Sequence, residues 1–92
     1  MSLPVVWSPR ARSDFVQALD YIRRRRPQGA ATIRSLTLAS VERAAAFPEM
    51  YRAGRVEGTR EAVVHANYLY VYAIRSDHIL ILRFLHARRQ YP

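Results

Sequence analysis

The sequence predicts a single α+β domain in which a hairpin of two helices packs on one face of a mostly antiparallel four-stranded sheet. First, the apolar patterns along residues 1–92 follow the order β-α-α-β-β-β, without an internal repeat or a linker. Second, Pro9 stands where one helix would begin, and Pro27 either ends that helix or begins an adjacent one. Third, residues 68–74 alternate strictly, which is typical of a strand.

The first half of the chain predicts one strand and then the helix hairpin. The apolar stretch 3–7 reads as a short strand. Ser8, as N-cap, and Pro9 then begin a first helix that ends in the arginine run 23–26. These cations suit the negative end of the helix dipole. A second helix is predicted over about 28–46, so the two helices are joined by a tight basic turn.

The second half predicts a loop and three strands. Residues 48–59 contain Gly54 and Gly58 and are predicted to form the loop. The strands that follow are predicted at 60–64, 68–74 and 78–85.

Strand alternation predicts which side chains face the helices. In the last strand, Leu80, Leu82 and Phe84 share the parity opposite to the isolated charge of Arg83, so they form the predicted core. In the strand before it, the aliphatic side chains would pack on the helices. We therefore expect Leu69, Val71 and Ala73 under the helices, and Tyr68, Tyr70, Tyr72 and Arg83 on the open face.

The charge balance indicates an anionic partner. The net charge is +8, and all 15 cations are arginine because the chain has no lysine. Codon bias explains the missing lysine but not the net charge. Arginine offers a fixed, planar donor set for phosphate or carboxylate, so nucleic acid or an acidic protein is the favoured partner class.

The composition excludes several classes of site. Without cysteine there is neither a disulfide framework nor a thiolate metal site, and no other ligand spacing suggests a metal or a cofactor. No apolar run approaches the roughly 20 residues that cross a bilayer, and the start of the chain lacks the apolar core of a signal peptide. We therefore expect a cytoplasmic protein that does not bind a membrane.

Several short motifs occur in order along nearly the whole chain. They are Trp7-Ser8-Pro9-Arg10-Ala11, Tyr21-Ile22, Gly58-Thr59-Arg60-Glu61, Tyr68-x-x-x-Tyr72 and Ile81-Leu82-Arg83-Phe84-Leu85-His86-Ala87-Arg88. Together they resemble the RelE/ParE superfamily of toxins from type II toxin–antitoxin systems. The first and the last motif are most similar to the ParE-like, plasmid-stabilisation branch.

This resemblance implies a toxin that is neutralised by a cognate antitoxin, whose tail is expected to be acidic and disordered when free. For the ParE-like branch it implies growth arrest by binding of DNA gyrase, without chemistry by the toxin itself. The alternative is a RelE-like, ribosome-dependent mRNA endonuclease. A third hypothesis, a basic nucleic-acid-binding module, is weaker because the sequence has no standard recognition motif.

The endonuclease alternative needs a base, an acid and cations for the phosphorane charge. The lysine-rich version of this chemistry cannot operate in a chain without lysine. A histidine-based version would use His86 as base, Arg60 and Arg83 as phosphate clamps, and Tyr91 as an acid or stacking group. The competing interpretation of His86 is an ordinary hydrogen-bonded residue at a strand end.

The partner-binding hypothesis uses the cations and the tyrosine stripe. A charge run at a helix end is often only solvated, and a tyrosine stripe often packs on neighbouring aliphatic side chains. For Arg83, a structural salt bridge with Glu57, Glu61 or an antitoxin carboxylate competes with a catalytic role. The partner-binding residues are predicted to be Arg23, Arg24, Arg25, Arg26, Tyr68, Tyr70, Tyr72, Arg83, Arg88 and Arg89.

Overall fold

Two helices pack against one face of a five-stranded sheet in the computed structural model, which describes residues 2–65, 67–89 and 91. The sheet order is β1-β5-β4-β3-β2; β1 runs parallel to β5 and the other pairs are antiparallel. The elements are β1 (Val5–Trp7), α1 (Pro9–Arg25), α2 (Pro27–Ala46), β2 (Arg52–Ala53), β3 (Arg60–His65), β4 (Tyr68–Ile74) and β5 (Ile79–His86).

The predicted α+β architecture is confirmed, with one strand more than expected. The additional strand is β2, which lies inside the predicted loop 48–59 and is two residues long. A strand of two residues cannot show alternation, so its pairing with Arg60 and Glu61 of β3 had no signal in the sequence.

Local signals determine the helix hairpin as predicted. The Ser8 hydroxyl accepts the Ala11 N–H at 3.0 Å and caps α1, and Pro9 and Pro27 occupy first-turn positions of the two helices. The same hydroxyl donates to the Leu82 carbonyl at 3.2 Å, which fixes the start of α1 against β5.

The predicted assignment of the sheet faces is wrong for β4. Tyr70 and Tyr72 are fully buried beneath the helices, and Leu69 and Val71 lie on the opposite face. The reason is that both buried hydroxyls find partners: that of Tyr70 lies 3.0 Å from Ser40 Oγ, and that of Tyr72 donates to the Pro48 carbonyl. A tyrosine with a satisfied hydroxyl buries more apolar area than an aliphatic side chain.

A β-bulge accounts for the error in β5. Val71 pairs with Arg83 while Tyr72 pairs with Ile81, so Leu82 is an extra residue and the parity of the strand changes there. Ile79, Ile81 and Phe84 consequently share the helix-facing core, whereas Leu82 packs on the other face. Of the predicted set Leu80, Leu82 and Phe84, Phe84 alone lies in this core.

The sheet face away from the helices is apolar and partly covered by the end of the chain. Tyr91 is 7% exposed and packs with Leu69, Val71 and Leu85. Within the described residues, neither helix is long and apolar enough to cross a membrane.

Candidate functional site

Two adjoining grooves meet where α1 ends beside the start of β4 and the end of β5. One groove, of about 520 Å³, lies between the helix hairpin and the β3–β4 connection. The other, of about 480 Å³, lies between α1 and β5. They share Tyr21, Tyr68 and His86, and we call the combined surface the trough. Its polar and aromatic lining residues are Asp14, Gln17, Tyr21, Arg25, Arg26, Thr32, His65, Asn67, Tyr68, Phe84, His86 and Arg89.

The trough is built by one helix turn and one strand pair. Tyr21 and Arg25 are four residues apart on α1, and the Arg25 guanidinium lies 4.7 Å from the centre of the Tyr21 ring. Across the groove, Tyr68 pairs with His86 in the sheet, and their rings meet edge to face with centroids 5.3 Å apart. Tyr68 also stacks on Phe84 at 5.5 Å, so the core fixes its ring.

The trough is cationic. Arg25, Arg26 and Arg89 line it, and among the described lining residues Asp14 is the one carboxylate. Burial, and to a lesser degree the neighbouring Tyr21, raises the pKa of Tyr68, so its hydroxyl stays neutral and can donate a hydrogen bond. The surface therefore offers fixed positive charges and neutral donors, the complement of carboxylate or phosphate.

The Asp14 carboxylate is already engaged by β5. It accepts from Arg83 Nε at 2.8 Å and from the Phe84 N–H at 3.1 Å, and both side chains of the ion pair are 15% exposed. The pair therefore fastens α1 to β5 beyond the point where β1 ends. Arg83 was expected on the open face or beside Glu57 or Glu61; its actual partner is Asp14, and the structural salt bridge is what the structure contains.

Arg60 lies at the other end of the sheet. It pairs with Tyr72 on β4, four residues beyond the position opposite His86, which is about 13 Å along the strand. Its guanidinium donates to the carbonyls of Glu49 at 3.1 Å and Tyr51 at 2.7 Å. Arg60 thus holds the loop that follows α2.

The four residues of the histidine-based nuclease hypothesis do not converge. His86 lines the trough, Arg83 is bound to Asp14, Arg60 holds a distant loop, and Tyr91 is buried on the opposite face of the sheet. The guanidinium of Arg55 lies 4.7 Å from the centre of the Tyr91 ring, so this tyrosine is enclosed on its outer side as well.

His86 contacts the turn that follows β5. Its Nδ1 accepts the Arg88 N–H at 3.2 Å. The side chain is exposed and lies at the shared centre of the two grooves.

The structure brings some of the predicted partner-binding residues together. Arg25, Arg26, Tyr68 and Arg89 all line the trough. Tyr70 and Tyr72, by contrast, are fully buried and offer no surface to a partner, so that prediction is corrected. Of the remaining residues, Arg23 pairs with Asp20 at 2.8 Å in an exposed i, i+3 contact, and Arg24 and Arg88 are exposed.

The predicted site residues left out several that line the trough, among them Tyr21 and His65. Tyr21 is 56% exposed, and its spacing of four residues to Arg25 was the available signal. His65 ends β3 and reaches the trough only because β3 and β4 form a hairpin. Among the described residues, no three His, Asp or Glu side chains gather as a metal ligand set.

Sequence comparison finds one protein family and one individual protein that are similar to this chain. Residues 5–91 match the family described as ParE toxin of type II toxin-antitoxin system, parDE. The chain is also similar to a Sinorhizobium fredii protein named "Putative toxin Y4kP", with 32% identity over 87 residues, 94% of this chain and 90% of the relative.

Solved structures share the fold at low identity. A chain of the chromosomal ParDE system from P. aeruginosa superposes with a TM-score of 0.79 and 18% identity, covering 92% of this chain and 96% of that chain. The YoeB/ParE toxin from Agrobacterium tumefaciens gives 0.67 and 13%, covering 97% and 100%. The toxin–antitoxin complex RelBE2 from Mycobacterium tuberculosis gives 0.60 and 21%, covering 94% and 99%.

Proposed function

Because the chain belongs to the ParE toxin family of type II toxin–antitoxin systems, we propose that it arrests growth by binding DNA gyrase and that a cognate antitoxin neutralises it at the trough. The observation that carries this proposal is that Arg25 and Arg26 line one groove of the trough and Arg89 lines the other, while the candidate catalytic groups are dispersed over the fold. Such a surface grips an anionic partner rather than performing acid–base chemistry.

The antitoxin contact follows from charge and shape. Arg25 and Arg26 stand on the helix side of the trough and Arg89 on the strand side, so carboxylates on one extended segment can meet cations on both sides. Guanidinium groups bind carboxylates in a bidentate manner. An acidic segment that is disordered when free would order as it fills the trough, which is the behaviour expected of a switchable inhibitor.

The inhibition proposal rests on the dispersal of the candidate catalytic groups. Arg83 and Arg60 are used within the fold, and Tyr91 lies on the other side of the sheet from His86. RNA cleavage needs its acid, base and cations within hydrogen-bond reach of one phosphate. Binding of a protein target requires no such convergence.

Two parallel assays test the target. Purified toxin is added to DNA gyrase with relaxed plasmid and, separately, to translating ribosomes with a defined mRNA. We expect loss of supercoiling and an intact mRNA, and in both assays the antitoxin should reverse any effect. Ribosome-dependent cuts in the mRNA with unaffected gyrase would contradict the gyrase proposal.

A second candidate, the ribosome-dependent mRNA endonuclease, is favoured by one observation: His86 and Tyr68 lie together in a cationic groove. In that case the ribosome would have to supply or rearrange the missing groups. His86→Ala separates the two functions. Lost toxicity in a soluble variant that still binds the antitoxin would favour catalysis, and retained toxicity would favour inhibition.

A further inference from the structure

An apolar surface lies at the opposite end of β4 from the trough. Phe47 is 68% exposed, Met50 is 52% exposed and Ile74 is 38% exposed. They surround a depression of about 570 Å³ whose other lining residues are Ala46, Pro48 and Glu49. We call Phe47, Met50 and Ile74 the patch. Contiguous exposed apolar patches mark protein interaction sites on many soluble domains.

Hydrogen bonds hold the backbone around Phe47 and Met50 in place. The Tyr72 hydroxyl donates to the Pro48 carbonyl, and the Arg60 guanidinium donates to the carbonyls of Glu49 and Tyr51. The Met50 N–H donates to the Phe47 carbonyl at 3.0 Å and closes the turn. A preorganised loop loses little conformational entropy on binding, so exposed apolar side chains on it can contribute most of their burial energy to affinity.

One exposed arginine, Arg75, adjoins the patch on the sheet side. Ile74 also lines a neighbouring groove of about 330 Å³ together with Arg60 and Thr59. Arg75 follows Ile74 and is exposed, and Glu49 is the one carboxylate that lines the depression. An apolar centre beside an exposed arginine, on a chain with a net charge of +8, fits a protein surface that presents both apolar side chains and carboxylates. A second copy of this chain fits poorly, since each copy carries a net charge of +8.

We propose that the patch is the docking surface for the target of growth arrest, an acidic protein surface, and that it works separately from the trough. This inference rests on the proposed function, in which the chain acts by binding a protein. The chain measures 39 × 28 × 23 Å, so an antitoxin seated in the trough excludes a much larger enzyme from the patch by its bulk. Neutralisation then does not require the antitoxin to touch Phe47.

Matched serine variants test the proposal. Phe47→Ser and Met50→Ser remove exposed apolar area from the patch, and Val16→Ser and Leu36→Ser remove it elsewhere, from side chains that are 53% and 41% exposed. Each variant is measured for growth arrest on induction, inhibition of purified gyrase, affinity for the antitoxin and melting temperature. We expect Phe47→Ser to weaken gyrase inhibition by about thirtyfold and to abolish arrest, as for a central interface residue. Affinity for the antitoxin and melting temperature should stay at the wild-type values, and the control variants should behave as wild type.

Each other outcome has a defined meaning. Unchanged arrest in both patch variants would overturn the proposal, and a parallel loss of antitoxin affinity would reassign the patch to the antitoxin. A wild-type dimer that Phe47→Ser converts to a monomer would reassign it to a second copy. A wild-type chain without effect on gyrase would refute gyrase as the target, yet loss of arrest in Phe47→Ser with antitoxin affinity intact would still support the patch.

Discussion

Strand β4 begins in the trough, at Tyr68, and ends in the patch, at Ile74, about 20 Å away. The two ends differ in chemistry. The trough offers arginine, histidine and tyrosine donors, and the patch offers exposed apolar side chains on a fixed loop. Cations steer and orient an acidic partner, whereas apolar burial supplies most of the affinity. One small sheet thereby holds two surfaces suited to two different partners.

Some arginines are bound within the fold, and others are exposed in the trough. Arg83 and Arg60 serve the fold, because they bind the Asp14 carboxylate and the carbonyls of a loop. Arg26 and Arg89 line the trough and are exposed. A high net charge therefore does not identify a binding site; what identifies it is where the cations remain accessible.

Truncation of Tyr70, in the core between the trough and the patch, should destabilise the protein most. Tyr70→Ala deletes a fully buried ring and leaves the Ser40 hydroxyl without this partner. We expect the free energy of unfolding to fall by about 4 kcal/mol. Denaturant unfolding measures this, and both surfaces should fail together. A variant as stable as wild type would show that the helix-facing position of this tyrosine is wrong.

The stability contributed by the half-buried ion pair Asp14–Arg83 can be compared with that of the exposed pair Asp20–Arg23. Asp14→Ala leaves Arg83 and the Phe84 N–H unpaired at a site that is 15% exposed, so we expect a loss of about 3 kcal/mol. Asp20→Ala breaks an exposed pair with Arg23 and should cost about 0.5 kcal/mol or less. Equal losses in thermal unfolding would mean that the first pair is no more structural than the second.

A charge reversal should affect the trough and spare the patch. Arg25→Glu combined with Arg26→Glu should weaken antitoxin binding by about 2 kcal/mol and make the affinity less sensitive to salt. The control, Arg12→Glu combined with Arg34→Glu, changes the net charge equally at exposed positions outside the lining of the trough. Titrations at two salt concentrations distinguish them, and equal weakening by both pairs would mean that the net charge, not the trough, binds the antitoxin.

The smallest effect is a pH dependence in the core between the two ends. Burial raises the pKa of Tyr70 above the ordinary value of about 10 that it has in the unfolded chain. The neutral form is therefore favoured in the folded state, and its stabilisation is complete below about pH 10 and is lost as the pH rises further. Tyr70→Phe should cost about 1 kcal/mol at neutral pH through the lost hydrogen bond to Ser40.

The same variant should lose less stability than wild type between about pH 9 and 11, because this group no longer titrates. Unfolding curves at both pH values measure the difference. If the free energy of unfolding fell equally with pH in the wild type and in Tyr70→Phe, the Tyr70 hydroxyl would not be buried. Tyr72, whose pKa burial also raises, remains in both proteins and contributes equally.

Features determined by neighbouring residues could be predicted from the sequence. The cap at Ser8, the turn before Pro27 and the bounds of β4 all follow from local patterns, and the structure confirms them. The bulge at Leu82 could not be predicted, because it depends on pairing between two strands, and it changed which face of β5 is buried. The partner of Arg83 lies 69 residues away in sequence, so no spacing pointed to Asp14.

The same limit applies to the candidate site. Arg25, Arg26, Tyr68 and Arg89 were identified by residue type, yet only the fold shows that they line two adjoining grooves that meet at Tyr68. The patch carries no motif, since Phe47 and Met50 resemble ordinary core residues until their exposure is known.

A gyrase supercoiling titration without antitoxin distinguishes the patch from the trough as the surface that binds the target. It compares the wild-type chain with Phe47→Ser and with the Arg25→Glu, Arg26→Glu double variant. We expect half-maximal inhibition to require about thirtyfold more of the patch variant and about the same amount of the trough variant. Inhibition that depends on the trough arginines and not on Phe47, or a wild type without inhibition, would contradict the binding of gyrase at the patch.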